Sequence, residues 1–437
     1  MFGTSGIRGP VGEEVTADVA LSVGRAVASE GNRRVVVGRD ARESGEFLSQ
    51  AVIAGLRECG SDVLDAGVAA TPTIARAVGT FDADAGIVVT ASHNPPEDNG
   101  LKLWTPTGKA FGPERRAAIE DRIHNDAYDL AAWDELGERH TVDDVERTHQ
   151  QALTDVVDIE QSLEVVVDVG NGTGGLTATV LDDLGCSVLT LNAQEDGSFP
   201  GRPSEPTADT LGALMETVAA TGADLGVAHD GDADRMMAVD ETGAFVPKDC
   251  LLALFATTAA RAGDRVAAPV DTSLAVEDAL AEFGASLTRT RVGDVYVAEE
   301  ATAEDVVFGG EPSGAWIWPD ETLCPDGPLA ACKLVELVSN RGPLSTLVGE
   351  IDTYPIRRDS FEVTDKLAVM DDVERVVTDA YERVETLDGV RVETDDGWFL
   401  IRASGTQPLV RVTAEARAAQ RADELLERAS ELLAVTP

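Results

Sequence analysis

The chain has 437 residues, 43% of them hydrophobic and 26% charged, a globular composition with length for about three domains and more than one hydrophobic core that excludes a disordered or low-complexity protein. Its 79 acidic residues against 35 basic ones give a formal net charge of −44, a field that repels nucleic acid and anionic membrane and removes both as expected partners. The acid is spread along the whole length and the lysines are only Lys102, Lys109, Lys248, Lys333 and Lys366, as on a halophilic surface adapted to molar salt, where screening relieves self-repulsion.

The opening MFGTSGIRGP has no apolar signal-peptide core, and the longest apolar stretch, around Leu251 to Ala260, is too short to span a bilayer. Cys59, Cys186, Cys250, Cys324 and Cys332 form no CxxC pair. They read as reduced core thiols, and a cytoplasmic protein is expected.

From Thr16, Val19, Val23 and Val27 recur at i, i+4, i+8, which predicts a helix capped by Thr16 and stopped at Gly31. RVVVGRD follows as a buried strand, SGEFLSQAVIAGLRECG as a helix, DVLDAG as a strand, TPTIARAVGTF as a helix and GIVVT as a strand. The alternation predicts an α/β layer with a parallel or mixed sheet. It restarts at LEVVVDVGNGTGG, runs through LTATVLDDLG and CSVLTLN to LGVAHDGDADRMMAVDETG, and restarts again at DCLLALFATTAARAG with strands RVAAPV, SLTRTRV and DVVFGG. After about Thr353 the character changes to a long helix pattern, KLAVMDDVERVVTDAYERVE, then VRVETD, WFLIRAS and LVRVTAEA as strands and a terminal helix. Three similar α/β domains with mixed sheets (1–150, 151–248 and 249–350) and a smaller α+β domain (351–437) joined by the linker DTYPIRR are therefore expected.

Four loops carry chemistry. DGDADR leaves an apolar strand, and alternate Asp230, Asp232 and Asp234 can point inward as three hard oxygen ligands suited to magnesium. A solvated acidic turn is the bland alternative, disfavoured by the apolar strands on both sides. GIVVTASHNP delivers Ser92 beyond the carboxyl edge of a sheet, where α/β proteins keep their sites, with His93 and Lys102 available for proton transfer and phosphate neutralisation. TASHNP is not the GxSxG of a hydrolase elbow, and beside a metal loop it points to phosphoryl transfer. GGEPSGAW presents Glu311 and Ser313, a carboxylate and a hydroxyl suited to sugar hydroxyls. RASGTQPLVR offers Arg402, Ser404, amides near Gly405, Thr406 and a returning Arg411, a phosphate cradle in a chain poor in cations. VGNGTGG, at 169–175, has no following lysine and reads as a structural turn rather than a nucleotide loop.

FGTSGIRG, TASHNP, DGDADR, GEPSG and RASGTQPLVRV, in this order from Phe2 to about Ala416, resemble the α-D-phosphohexomutase family. The resemblance implies an isomerase of four domains around a central cleft, each giving one loop. It further implies that Ser92 is carried as phosphoserine and passes its phosphoryl group to a hexose monophosphate through a bisphosphate intermediate. One Mg²⁺ per site would be held by Asp230, Asp232, Asp234 and the phosphorylated Ser92. Arg8, His93 and Lys102 would surround the transferring phosphate, with Lys102 or Arg235 assisting proton transfer. Glu311 and Ser313 would grip the sugar, and Arg402, Ser404, Gly405, Thr406 and Arg411 the phosphate that is not reacting. TRVGDVYVAEE is similar to the VGDRYV segment of the phosphoglucosamine mutase branch, although Val295 replaces its arginine and Ala315 the common histidine of GExSGH. That similarity implies interconversion of glucosamine 6-phosphate and glucosamine 1-phosphate by a monomer or homodimer. Mannose or glucose phosphates are the nearest alternative, with a phosphatase or a sugar-phosphate sensor behind it.

Overall fold

The computed structural model describes residues 1–3, 6–404 and 409–434. Gly405 and Thr406 lie outside the described residues. The chain divides into two compact units, Met1–Lys248 with Ser313–Val348, and Asp249–Pro312 with Gly349–Pro437.

In the first unit the helix Ala17–Ser29 starts where its periodicity does, the Thr16 hydroxyl accepting the Val19 N–H at 3.3 Å. It lies against the helix Gly45–Glu58 with the backbones nearly touching. A Cβ on Gly55 would sit 2.2 Å from the Leu21 carbonyl, so no larger residue fits there. Both helices cover a six-stranded mixed sheet ordered Ile7–Pro10, Asp98–Trp104, Ala85–Val89, Arg34–Arg39, Asp62–Val68, Arg139–Thr141. Ala85–Val89 is buried along its whole length, as its unbroken apolar run requires of a central strand. Arg34–Arg39, Asp62–Val68 and Ala85–Val89 run parallel, and Asp98–Trp104 returns antiparallel beside the last of them. The second sheet, Met236–Asp240, Leu225–His229, Glu164–Asp168, Ser187–Leu191, is also mixed. The helix Gly327–Arg341 belongs to this unit as well.

In the second unit Arg265–Pro269 runs parallel between Ser286–Thr290 and Val306–Glu311. The C-terminal sheet is antiparallel and has five strands, Ile356–Glu362, Leu409–Ala416, Gly397–Ala403, Val390–Glu393, Val384–Glu385. Two expectations change here. The linker DTYPIRR ends inside the edge strand Ile356–Glu362, whose charged residues, normal on a solvated edge, hide its strand pattern. The long helix stops at Ala380, because Tyr381 turns extended (φ −129°, ψ 146°) and sets its ring edge-on against Phe399 at 5.6 Å. The five cysteines are buried, and among the described residues none forms a disulfide. Among the described residues no helix is long and apolar enough to cross a membrane.

Candidate active site

The site is built at the carboxyl ends of parallel strands. Arg34–Arg39 leads to Asp40 and Arg42, Asp62–Val68 leads to Thr71, and Ala85–Val89 leads to Thr90 and Ser92. Ser92 is held at φ +53°, a left-handed conformation costly for a serine. Its N–H donates to Thr90 Oγ1 at 2.8 Å, and its carbonyl accepts from Arg42 Nη2 and from Ser204 Oγ, each at 2.9 Å. So fixed, the Ser92 hydroxyl donates to Asp230 Oδ2 at 2.6 Å and stands 3.4 Å from His93 Nδ1.

Asp230, Asp232 and Asp234 form the turn between Leu225–His229 and Met236–Asp240. Their ligand oxygens lie within 4.8 Å of one another, and all three residues are buried. Asp232 Oδ2 accepts from Thr71 Oγ1 at 2.5 Å and from Lys102 Nζ at 2.7 Å, and Lys102 also pairs with Asp234. Asp232 Oδ1 is buried and, among the described residues, has no hydrogen-bond partner. Hard carboxylate oxygens, one of them unsatisfied, fit a small divalent cation. Three carboxylates less the Lys102 ammonium leave two negative charges, the amount such an ion cancels.

The electrostatics follow from burial and these neighbours. Burial, with Asp234 and Asp232 alongside, pushes Asp230 well above the usual carboxylate range. Burial would also raise Asp232, but Lys102, the Thr71 hydroxyl and Arg8 outweigh it and hold the group well below that range. Burial would lower the Lys102 ammonium, and Asp232 and Asp234 hold it above its ordinary value. His93 is pushed down to about 2 by burial and then by Arg235, Arg8 and Lys102, so its ring is neutral at working pH.

Arg8 lies on Ile7–Pro10 opposite Gly100, two residues from Lys102, and its buried Nε has no partner among the described residues. Arg235 pairs with Glu205 at 3.8 Å and bridges to Ala315, while the Met236 N–H donates to the Gly314 carbonyl at 2.9 Å. Ser313 therefore opens a segment that docks directly after the aspartate turn. Glu311 ends the strand Val306–Glu311 in the other unit. There Arg402 and Arg411 face each other across the antiparallel pair, and the Ser404 N–H donates to the Leu409 carbonyl at 2.8 Å. Lys366 Nζ donates to the Ser404 carbonyl at 2.6 Å.

Models of phosphoglucomutase/phosphomannomutase domains match in order: α/β/α domain I over residues 1–129, domain II over 147–243, domain III over 247–354 and the C-terminal domain over 360–432. A protein of Methanopyrus kandleri named "Probable phosphoglucosamine mutase" is 46% identical, over 97% of this chain and 95% of its own. This chain belongs to the phosphoglucomutase/phosphomannomutase family. A "Probable phosphoglucosamine mutase" of Methanothermobacter thermautotrophicus is 45% identical over 98% of this chain and 96% of its own. A solved phosphoglucomutase/phosphomannomutase family protein of Burkholderia thailandensis superposes with a TM-score of 0.88 at 29% identity, covering 100% of this chain and 99% of the other. Family membership makes the chain a phosphohexomutase, an isomerase that works by phosphoryl transfer.

The candidate site contains residues that sequence reasoning missed. Arg42, Thr71 and Ser204 touch the Ser92 loop or the aspartates directly. Ser204 Oγ also accepts the Gly231 N–H at 2.9 Å, so one hydroxyl joins the Ser92 loop to the aspartate turn. Single residues of common types give no local pattern, although the proline-rich GSFPGRPSEPT around Ser204 is an unusual enough stretch to have served as a signal. The VGNGTGG turn packs on the aspartate turn, its Thr173 N–H donating to the Gly231 carbonyl at 3.1 Å. A Cβ on Gly172 would lie 2.4 Å from the Gly231 carbonyl, so its glycine lets the two turns stack.

Proposed function

We propose that the chain is a magnesium-dependent phosphoglucosamine mutase, with Ser92 as the phosphoryl carrier. The observation that carries the reading is the Ser92 hydroxyl 2.6 Å from Asp230, inside a buried cluster of three carboxylates. The names of the archaeal relatives support the hexosamine substrate. Phosphomannomutase or phosphoglucomutase activity with the same mechanism is the alternative.

In this reading a sugar hydroxyl oxygen bonds to phosphorus, the bond from phosphorus to Ser92 Oγ breaks, and the hydroxyl proton passes to the freed Ser92 oxygen. The resulting hexose bisphosphate returns its other phosphoryl group to Ser92, and the isomerised monophosphate departs. Mg²⁺ held by Asp230, Asp232 and Asp234 would supply charge neutralisation for the transferring group. Lys102, above its ordinary value, donates hydrogen bonds as a cation, and Arg8 and Arg235 add positive charge. Neutral His93 acts beside Ser92 through its ring nitrogen. Sugar contacts from Glu311 and Ser313, and phosphate contacts from Arg402, Ser404, Gly405, Thr406 and Arg411, belong to the same proposal. So do the phosphorylated state of Ser92 and a halophilic, cytoplasmic setting.

Phosphorus NMR of the protein in molar KCl with magnesium and a trace of hexose bisphosphate tests this, with glucosamine, mannose and glucose 6-phosphates offered separately. Preferred formation of glucosamine 1-phosphate is expected. Faster turnover of the neutral sugars would move the chain to the alternative, and inorganic phosphate appearing faster than isomer would make it a phosphatase. Ser92→Ala is expected to abolish turnover while destabilising the fold by no more than about 1.5 kcal/mol, the scale of one ordinary hydrogen bond.

A further inference from the structure

Among the described residues Arg42 donates no hydrogen bond to Asp230, Asp232 or Asp234, yet its guanidinium is fully buried, at 0% exposure. A guanidinium has five N–H donors in one plane. All five are used. Nε donates to Asp40 Oδ2 at 3.0 Å, Nη1 to the carbonyls of Pro95 and Asp98 at 2.5 and 2.9 Å, and Nη2 to those of Ser92 and Asn94 at 2.9 and 2.6 Å. Asp40 is likewise fully buried, and its Oδ2 also accepts from Thr90 Oγ1 at 2.7 Å, the same hydroxyl that receives the Ser92 N–H. The Phe199 ring centroid lies 5.0 Å from the guanidinium carbon.

A buried ion pair is an expensive way to hold a loop, and apolar packing of similar volume often does as well. What apolar packing cannot do is fix the directions of four carbonyls at once. That matters here because Ser92 sits at φ +53°, where a turn of its peptide plane swings Oγ away from Asp230. A lysine, with three donors on a flexible stem, cannot make the same set of bonds.

We propose that Arg42 is a positioning residue for phosphoryl transfer: by gathering the carbonyls of Ser92, Asn94, Pro95 and Asp98 onto one buried guanidinium, it keeps Ser92 Oγ beside Asp230 as the serine gains and loses its phosphoryl group. This rests on the proposed role of Ser92. Release of the loop lets water compete with the sugar: a water oxygen bonds to phosphorus, the bond from phosphorus to Oγ breaks, the proton goes to Oγ and inorganic phosphate leaves.

The test uses the full chain as wild type, Arg42→Lys and Arg42→Ala, primed with glucose 1,6-bisphosphate in magnesium and molar KCl. For both variants kcat is expected to fall about tenfold or more, the scale of losing one or two charge-assisted hydrogen bonds, with KM for the sugar phosphate nearly unchanged. Inorganic phosphate released per turnover rises, and hydrogen exchange accelerates at the amides of 92–98 while other segments keep wild-type protection. Millimolar guanidinium restores part of the Arg42→Ala turnover. Wild-type kcat in Arg42→Lys overturns the proposal, as does a rise in exchange spread over the whole first unit, which marks a merely structural residue. If Arg42→Ala does not fold, Arg42→Lys alone decides. A wild type without mutase turnover sinks the functional reading instead, and the exchange at 92–98 still shows whether Arg42 holds the loop.

Discussion

Asp230 and Asp232 stand two residues apart in one turn, yet their surroundings drive them in opposite directions. Burial and two neighbouring carboxylates raise Asp230, whereas Lys102 and Thr71 overcome the burial of Asp232 and lower it. A divalent cation needs Asp230 ionised, so binding competes with the proton Asp230 retains above the usual carboxylate range. Magnesium affinity is therefore expected to strengthen as pH rises toward the raised value and to level off above it, with about one proton released per ion in the strengthening range. Calorimetry in two buffers of different ionisation enthalpy reads that proton, and affinity independent of pH with no release would refute the assignment. Asp232 has the opposite sign: its stabilisation is present above the unfolded value of about 3.9 and is lost only as pH falls through its lower folded value. The three aspartates and Ser92 were legible because their residue types cluster in one short segment each. Arg42, Thr71 and Ser204 were not, because each reaches the site through a partner far along the chain: Ser92 for Arg42 and Ser204, Asp232 for Thr71.

The helix Thr71–Thr80 connects the aspartate turn to the core. Thr71 at its start holds Asp232, Thr73 Oγ1 lies 2.8 Å from His149 Nδ1, and Arg76 Nε donates to Asp326 Oδ2 at 2.8 Å. Asp326 Oδ2 also meets His149 Nε2 at 3.0 Å, while its Oδ1 caps the helix Gly327–Arg341 through the Leu329 N–H at 3.0 Å. Burial opposes ionisation of Asp326, but His149, Arg76 and the Leu329 N–H hold it well below the usual range, so its contribution persists above the unfolded value. Asp326→Asn leaves Arg76 without its charge partner and is expected to lower stability by about 3–5 kcal/mol, measured by urea unfolding at neutral pH. An unchanged urea midpoint would show that the cluster contributes no net stability. The helices Ala17–Ser29, Gly45–Glu58 and Thr71–Thr80 and the buried strands Arg34–Arg39 and Ala85–Val89 were legible from their periods, whereas the buried strand Asp98–Trp104 and the helix Gly327–Arg341 were not. The edge strand Ile356–Glu362 was not, since its charges mask the alternation and its pairing with Leu409–Ala416 is decided far along the chain.

For the whole molecule, charge is the dominant property. A surplus of 44 negative charges repels itself over a Debye length that grows from about 3 Å at 1 M salt to about 10 Å at 0.1 M. Thermal midpoints are expected to fall as KCl is lowered across that range, with the loss recovered on adding salt back. A midpoint constant across it would refute the halophilic reading.

The sequence by itself determined the alternation of elements, the order of the four loops, their residue chemistry and the family, because these reside in local period and contiguous motifs. Only the tertiary structure decided that Arg42, Thr71, Lys102 and Ser204 meet the Ser92 loop or the aspartate turn. The reason is physical. The directions of hydrogen bonds and the shifts of buried charges are set by neighbours that parallel strands bring together at their carboxyl ends, and no local pattern encodes those neighbours.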